Sequence, residues 1–332
     1  IFLKEKNNIM KLKNLILDKD FKIERFEKID LNYKDKDDKK NDININRKNK
    51  NYILSGRTFN ADRLLENFID EDSKKKNIFS KDFNFKIKMD QVYLDDKYKI
   101  KNLIGKIYLK NNEVYNANLI GFFSENKRFE FTVISKQEGK VTTLFSHEAE
   151  PLVKRYKFIK GYKGGSLDLS SINFKGKSKS TLKIYNFNLK ELPALTKLLT
   201  LASLQGIADL LKGEGIGFEE FEMNFENEKN LMTIKEIYAI GPAISILMDG
   251  YVEKDKIVSL RGTLVPATTI NKAIGSIPVL GKILVGSKTG EGVFGVSFKI
   301  KGPPKELETT VNPIKTLTPR FITRTLEKIK KN

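Results

Sequence analysis

Phe83-Asn84-Phe85-Lys86-Ile87-Lys88-Met89 sets four apolar side chains at every second position with polar ones between them. An extended chain puts such a set on one face, whereas a helix would scatter it around its circumference. The stretch therefore reads as a strand with one dry and one wet side. The same period returns in Phe221, Met223 and Phe225; in Ile244, Ile246 and Met248; in Val258, Leu260 and Leu264; and in Phe294, Val296 and Phe298. Leu103, Ile107 and Leu109, and Phe129, Phe131 and Val133, add two more sets. Short polar segments such as Lys110-Asn111-Asn112-Glu113 and Glu125-Asn126-Lys127 separate them, which is the pattern of an antiparallel meander.

The expected fold is mainly β: a long, strongly curled antiparallel meander with few helices. About 16 strands at about 4.8 Å each would extend about 75 Å. Recurrent glycines, among them Gly56, Gly121, Gly250 and Gly262, are placed where a sheet bends. Because a slip of one residue exchanges the two faces, alternation alone leaves open which apolar set faces inward.

Helical signals are few. Asn60 can cap a short segment carrying Leu64, Leu65, Phe68 and Ile69. A longer apolar helix is expected near 193–212, opening at Pro193 and carrying Leu195, Leu198, Leu199, Leu204, Ile207 and Leu211. It reads as a plug packed on the sheet or as a membrane-lying element. Pro151 restricts Ser146 to Tyr156 to a turn or to the second half of a helix, and Lys34 to Asn51, charged and Asn-rich, reads as a long hairpin loop or mobile segment. The expected organisation is N-terminal strands and a charged loop over 1–50, a β-groove segment over 51–190, a helical insertion over 191–213, a second β-groove segment over 214–318 and a basic terminal helix over 319–332. The chain opens on Ile1 without an initiator Met or a leader pattern, so it is expected to be a C-terminal part of something longer.

Composition narrows the chemistry. With no cysteine there is no thiolate nucleophile, disulfide or Cys-based metal site, and with His147 alone there is no multi-histidine site. The net charge is +19, yet nine of the 61 basic residues are Arg, and the abundance of Lys, Asn and Ile together reads as coding bias more than as nucleic-acid recognition. Attraction to an anionic lipid surface comes next.

Gly281 to Thr289 suggests a phosphate loop, but Ser287 stands between Gly286 and Lys288, where the motif requires Lys directly after Gly. Gly213-Glu214-Gly215-Ile216-Gly217 follows a helix where a dinucleotide fingerprint would precede one, so it reads as a helix end. His147 beside Glu148 and Glu150 lacks an accompanying nucleophile motif, and no acid/base pair stands out. The chain reads as non-enzymatic, with no catalytic residue, metal or cofactor expected.

A series of C-terminal segments carries a resemblance. Leu199-Thr-Leu-Ala-Ser-Leu-Gln-Gly206 continues to Gly213-Glu-Gly215-Ile-Gly-Phe218; then come Gly262-Thr-Leu-Val-Pro266, Asn271, Ile277-Pro278-Val-Leu-Gly281, Gly290-Glu-Gly292-Val-Phe294, Gly302-Pro303 and Val311-Asn312-Pro313. With Leu54 to Ala61 and Gly161 to Leu167, the series resembles the C-terminal region of the AsmA-like superfamily of bacterial envelope proteins, in its YhdP-type branch. Thr318-Pro319-Arg320-Phe321 departs from the Pro-Gly of that pattern, and Glu306-Leu-Glu308 replaces its acidic-Pro pair.

The resemblance implies a periplasmic, bridge-like conduit, anchored in the inner membrane by an upstream segment, that moves glycerophospholipids between inner and outer membrane through an elongated, taco-like apolar β-groove. Its implied partners are phospholipid acyl chains, both membrane surfaces and other envelope proteins, with no nucleic acid. Carrying two chains of about 16 carbons through water would cost on the order of 25 kcal/mol, at about 0.8 kcal/mol per CH₂. The candidate groove residues are Phe83, Phe85, Ile87, Met89, Phe221, Met223, Phe225, Ile244, Ile246, Met248, Val258, Leu260, Leu264, Phe294, Val296 and Phe298. The alternative is a non-transporting envelope scaffold or regulator of outer-membrane assembly with a closed β core.

Overall fold

The computed structural model describes residues 1–62, 78–154, 161–190, 193–201, 208–209, 212–266, 295–304 and 306–314. Among them the protein is mainly β, with 18 strands in one open sheet, a separate two-stranded hairpin and few helices. Packing divides the chain into two units: Ile1–Arg155 with Ser166–Lys175, and Tyr156–Gly165 with Gly176–Asn332.

The first unit carries β1 (Phe2–Glu5), β2 (Asn8–Lys13), β3 (Ile16–Leu17), β4 (Ile23–Arg25), β5 (Lys28–Lys34), β6 (Lys40–Lys48), β7 (Asn51–Asn60), β8 (Phe83–Tyr93), β9 (Lys99–Lys110), β10 (Glu113–Ser124), β11 (Lys127–Lys136), β12 (Gly139–Ser146) and most of β13 (Lys163–Phe174). β3 and β4 form the separate hairpin. Helix α1 (Glu150–Val153) is a single turn with Pro151 in its first positions, as the proline dictates. The turns follow the chemistry of their residues. Asn111 and Asn112 adopt φ of 53° and 63° between the paired ends Lys110 and Glu113, the geometry of a tight two-residue hairpin that asparagine tolerates. At Gly56 and Gly105 the neighbouring strand comes so close that an added Cβ would collide with the carbonyl oxygens of Asp42 and Asn118.

Two expectations are corrected here. β7 and β8 pair in parallel, Tyr52 opposite Phe85 and Leu54 opposite Ile87, so the antiparallel meander is broken there. A parallel neighbour needs a long crossover, and residues 61–82 supply it. Alternation could not reveal this, because a strand's period is the same in either direction. The second correction concerns Lys34 to Asn51. Most of it is strand β6, with Ile43 and Ile45 on the dry face and the polar residues hydrogen-bonded: Asn44 to Asp30, and Asn46 to Asn44.

Asp35 anchors this region. Its carboxylate accepts hydrogen bonds from Asn60 Nδ2 at 2.7 Å, Asn41 Nδ2 at 3.2 Å and the backbone N–H groups of Asp37 and Lys39 at 3.0 Å. The fully buried Asn41 accepts in turn from the Asn60 N–H at 2.7 Å. Burial pushes the Asp35 carboxyl up, but the donors from Asn60, Lys39, Asn41 and Asp37 outweigh it and hold the group below its ordinary value. A lowered folded value means that the stabilisation is complete above the ordinary carboxylate range and is lost as pH falls through the lowered one. Urea midpoints followed from about pH 6 to about pH 2 should therefore fall more steeply for the wild type than for Asp35→Asn. Parallel curves would contradict this role.

The second unit carries β14 (Lys177–Leu189), α2 (Pro193–Leu201), β15 (Ile216–Glu228), β16 (Leu231–Ile240), β17 (Ile244–Glu253), β18 (Ile257–Pro266), β19 (Gly295–Gly302) and β20 (Glu308–Ile314), its strands paired consecutively and antiparallel. Tyr162, Phe187 and Phe218 stack at 5.4 Å spacings beside them. Helix α2 packs on β20; Leu195, Leu198 and Leu199 are buried, while Leu201 stays exposed. Leu204, Ile207, Leu211, Phe294, the segment from Leu64 to Ile69, the glycine-rich stretch 281–289 and the basic helix over 319–332 lie outside the described residues. No helix among the described residues is long and apolar enough to cross a membrane.

Candidate functional site

Strand register converts separate apolar sets into rows. In the first unit, Leu12, Ile29, Ile45, Leu54, Ile87, Gly105, Leu119, Phe131, Leu144 and Leu169 stand opposite one another in succession across ten strands. Every member is apolar, and each is half-buried. A parallel row holds Tyr52, Phe85, Ile107, Ala117 and Val133; another holds Met10, Leu31, Ile43, Gly56, Met89 and Leu103.

Burial along these rows is uneven. At one end of the strands, Phe26, Tyr52 and Phe83 form a buried cluster with Phe79, Phe85 and Leu109 around it. At the other end, Ile43, Met89, Val92, Leu94, Ile100 and Leu103 form a second. The ten-strand row runs between the clusters: Leu12, Ile29 and Ile45 pack against the first, Ile45, Leu54, Ile87 and Leu119 pack against the second, and all of them stay only half-buried. The opposite face carries Lys11, Asp30, Asn44, Ser55 and Lys88 in register, so the two sides of the sheet differ sharply in polarity.

In the second unit, register sets Ile184, Phe221, Ala239, Ile246, Leu264 and Val296 in one row and Leu182, Met223, Ile237, Met248, Gly262 and Phe298 in the next. Phe225, Ile234, Gly250, Leu260 and Ile300 make a third. The structure thus places the candidates Phe221, Met223, Phe225, Ile246, Met248, Leu260, Leu264, Val296 and Phe298 on one face, with Val258 next to Leu260 along it. Their exposure divides them. Ile244, Ile246, Leu264, Val296 and Phe298 are buried by the protein itself, as are Phe83 and Met89 in the first unit. Phe85, Ile87, Phe221, Met223, Phe225, Met248, Val258 and Leu260 remain half-exposed. On the reverse face Tyr238, Leu247 and Val265 form a separate small core with Ile240, an arrangement that the alternating reading had not included.

Leu12, Ile29, Ile45, Leu54, Leu119, Leu144 and Leu169 were not among the candidates. Several have an apolar neighbour that belongs to the other face, as Leu54 has Ile53, Leu119 has Ile120 and Leu144 has Phe145, so the period is blurred and only the neighbouring strand shows that they continue a row.

His147 is exposed at the end of β12; its Nδ1 accepts the Arg128 N–H at 2.9 Å, and its ring meets Phe145 edge-on at 4.8 Å. The neighbouring acids are engaged as well. Glu148 pairs with Lys127 at 2.5 Å, and the buried Glu150 accepts from Lys154 at 2.5 Å, Tyr98 Oη at 3.0 Å and Lys97 at 3.2 Å. Hydrogen bonding to Tyr98 and then to Glu150 holds the Lys97 ammonium above its ordinary range. Among the described residues no group of three or more His, Cys, Asp or Glu is placed to hold a metal ion. A polar depression of about 240 Å³ is lined by Asp18, Lys22, Phe79, Ser80, Lys81, Asn111 and Asn112.

Comparison with family models, curated proteins and solved structures finds no match.

Proposed function

We propose that this chain holds lipid acyl chains against the apolar face of its sheet and acts as a bridge-like conduit for glycerophospholipids between the inner and outer membranes of a bacterial envelope. On this reading it works in the periplasm as part of an AsmA-like protein, anchored in the inner membrane through an upstream segment. The observation that carries the reading is the ten-strand row from Leu12 to Leu169, apolar at every step and half-exposed throughout. Contiguous exposed apolar surface is costly in water and marks a site where something binds. On this reading the row would be the floor of a trough running across the strands, with the buried clusters at the strand ends flanking it. A floor of this kind suits a flexible hydrocarbon, because dispersion and burial are non-directional and demand no fixed pose.

The scaffold reading has one observation in its favour. In the second unit Ile184, Ala239, Ile246, Leu264 and Val296 are buried, so that end of the dry face is already closed. Lipid contact in this unit is therefore assigned to Met223, Phe225, Met248 and Leu260.

Photo-crosslinking separates the two. A phospholipid carrying a diazirine in its acyl chain should label Leu54, Ile87, Leu119 and Phe131, and Met223, Phe225 and Leu260. It should spare Asn44, Thr132 and Ser170 on the wet face. Labelling spread evenly over both faces, or absent from the Leu54 to Phe131 row, would favour the scaffold.

A further inference from the structure

On the wet face of the second unit, cations meet carboxylates across the strands: Lys177 and Glu228 at 3.0 Å, Lys235 and Glu226 at 3.2 Å, Arg261 and Asp249 at 2.9 Å. Where cations stand opposite one another, at Lys13 and Lys28, Lys34 and Lys40, and Arg261 and Lys299, at least one member is ion-paired, and a lysine group of the first unit differs from these. Lys86 on β8 stands directly opposite Lys106 on β9, with Lys88 two residues along the same face. Like charges directly opposite in a sheet destabilise it. Their lateral neighbours are Ile53 and Ser55 on β7 and Asn118 on β10, and a carboxylate on that face of β8, Asp90, stands two residues beyond Lys88. All three lysines are exposed. In the row between them, Lys88 faces Ile104 and Ile104 faces Ile120, and Ile104 is 51% exposed although it sits on the polar side.

A cluster of lysines without an ion pair among the described residues, set around an exposed branched aliphatic side chain, costs stability through repulsion and adds no packing to the fold. Local rules broken in this way cluster at functional surfaces. Lysine stems lie along apolar surface while their heads reach for anions, and an isoleucine among them can enter the headgroup boundary. An acidic protein partner would satisfy the charges but would supply no layer for Ile104 to enter.

We infer that the β8 to β10 wet face, with Lys86, Lys88, Lys106 and Ile104, is a docking surface for an anionic membrane. It lies on the side of the sheet opposite the acyl-contact row, so docking and lipid holding use different residues and can fail separately. Each juxtamembrane lysine contributes about fivefold to binding at an anionic surface.

Vesicle flotation tests the inference, using phosphatidylcholine vesicles with and without about one third phosphatidylglycerol, chosen to give the surface potential that attracts basic segments. The wild type should float with the anionic vesicles only, and less so at high salt. Lys86→Gln, Lys88→Gln and Lys106→Gln together should reduce binding on the order of a hundredfold while leaving the melting temperature unchanged or raised, since a repulsion is removed. Ile104→Ser should weaken binding with the charges intact. The control changes Lys179, Lys299 and Lys301, three exposed lysines of the second unit, to Gln. An equal loss in the control would reduce the effect to bulk charge and overturn the site. Wild-type binding by the first triple variant would overturn it as well, and so would equal flotation with uncharged vesicles. The triple variant should retain co-purified phospholipid, so its docking defect is distinguishable from a failure of the acyl-contact reading.

Discussion

Phe83→Ala is expected to destabilise the first unit by about 3–5 kcal/mol, the range for deleting a large aromatic side chain from a packed interior. Phe83 is 1% exposed and its ring lies 4.4 Å from Phe79, 5.0 Å from Tyr52, 5.9 Å from Phe85 and 6.2 Å from Phe26, centroid to centroid. These partners come from the β3–β4 side, from β7 and from β8, so no single strand can move to refill the space. Phe83→Leu keeps most of the volume and should cost about 1–2 kcal/mol. Urea unfolding followed by circular dichroism reads both values. A loss below about 1 kcal/mol for the alanine variant would mean that the cluster does not close this end of the sheet.

Ile87→Asp is expected to strip the protein of phospholipid while leaving it folded. Ile87 sits mid-row between Leu54 and Gly105 and is half-exposed, so water already reaches it and an aspartate there keeps part of its hydration. The fold then loses only part of a side chain's burial, about 1–2 kcal/mol. A bound acyl chain would have to cover the carboxylate, and burying an unpaired charge costs several kcal/mol. Lipid retained through purification should fall at least tenfold. Ser170→Asp adds the same charge to the wet face of β13 and should change nothing. If both variants keep their lipid, the row is not where hydrocarbon sits.

Much of the strand layout was legible from alternation, because a half-wet sheet forces a period of two on its sequence. Phe83 to Met89 and Phe221 to Phe225 carry that period so plainly that strand, dry face and flanking turns follow from it. Three features escaped for physical reasons. The direction of a neighbour leaves no trace in the period, hence the parallel β7–β8 pair. Asn-rich composition masked the alternating isoleucines of β6, where amide side chains are satisfied by one another and by Asp30. The run Ile244-Ser245-Ile246-Leu247 is buried on both faces, so its alternation dissolves and the small core around Tyr238 and Val265 goes unseen.

The candidate site was legible in chemistry but not in accessibility. Residue type marks Leu264 and Leu260 alike as dry-face leucines, yet the first is fully buried and the second half-exposed. What separates them is depth in the folded chain, a tertiary property that residue type does not carry. Conversely Leu54, Leu119 and Leu144 become a continuous surface only through register, which no single strand encodes.

The central claim is that the half-exposed row holds hydrocarbon, and native mass spectrometry of the protein released gently from its expression host tests it most directly. The expected spectrum contains adducts with the masses of glycerophospholipids, lost on denaturation and missing from Ile87→Asp but present in Ser170→Asp. A wild-type spectrum holding the bare chain alone, from a host rich in such lipids, would contradict it.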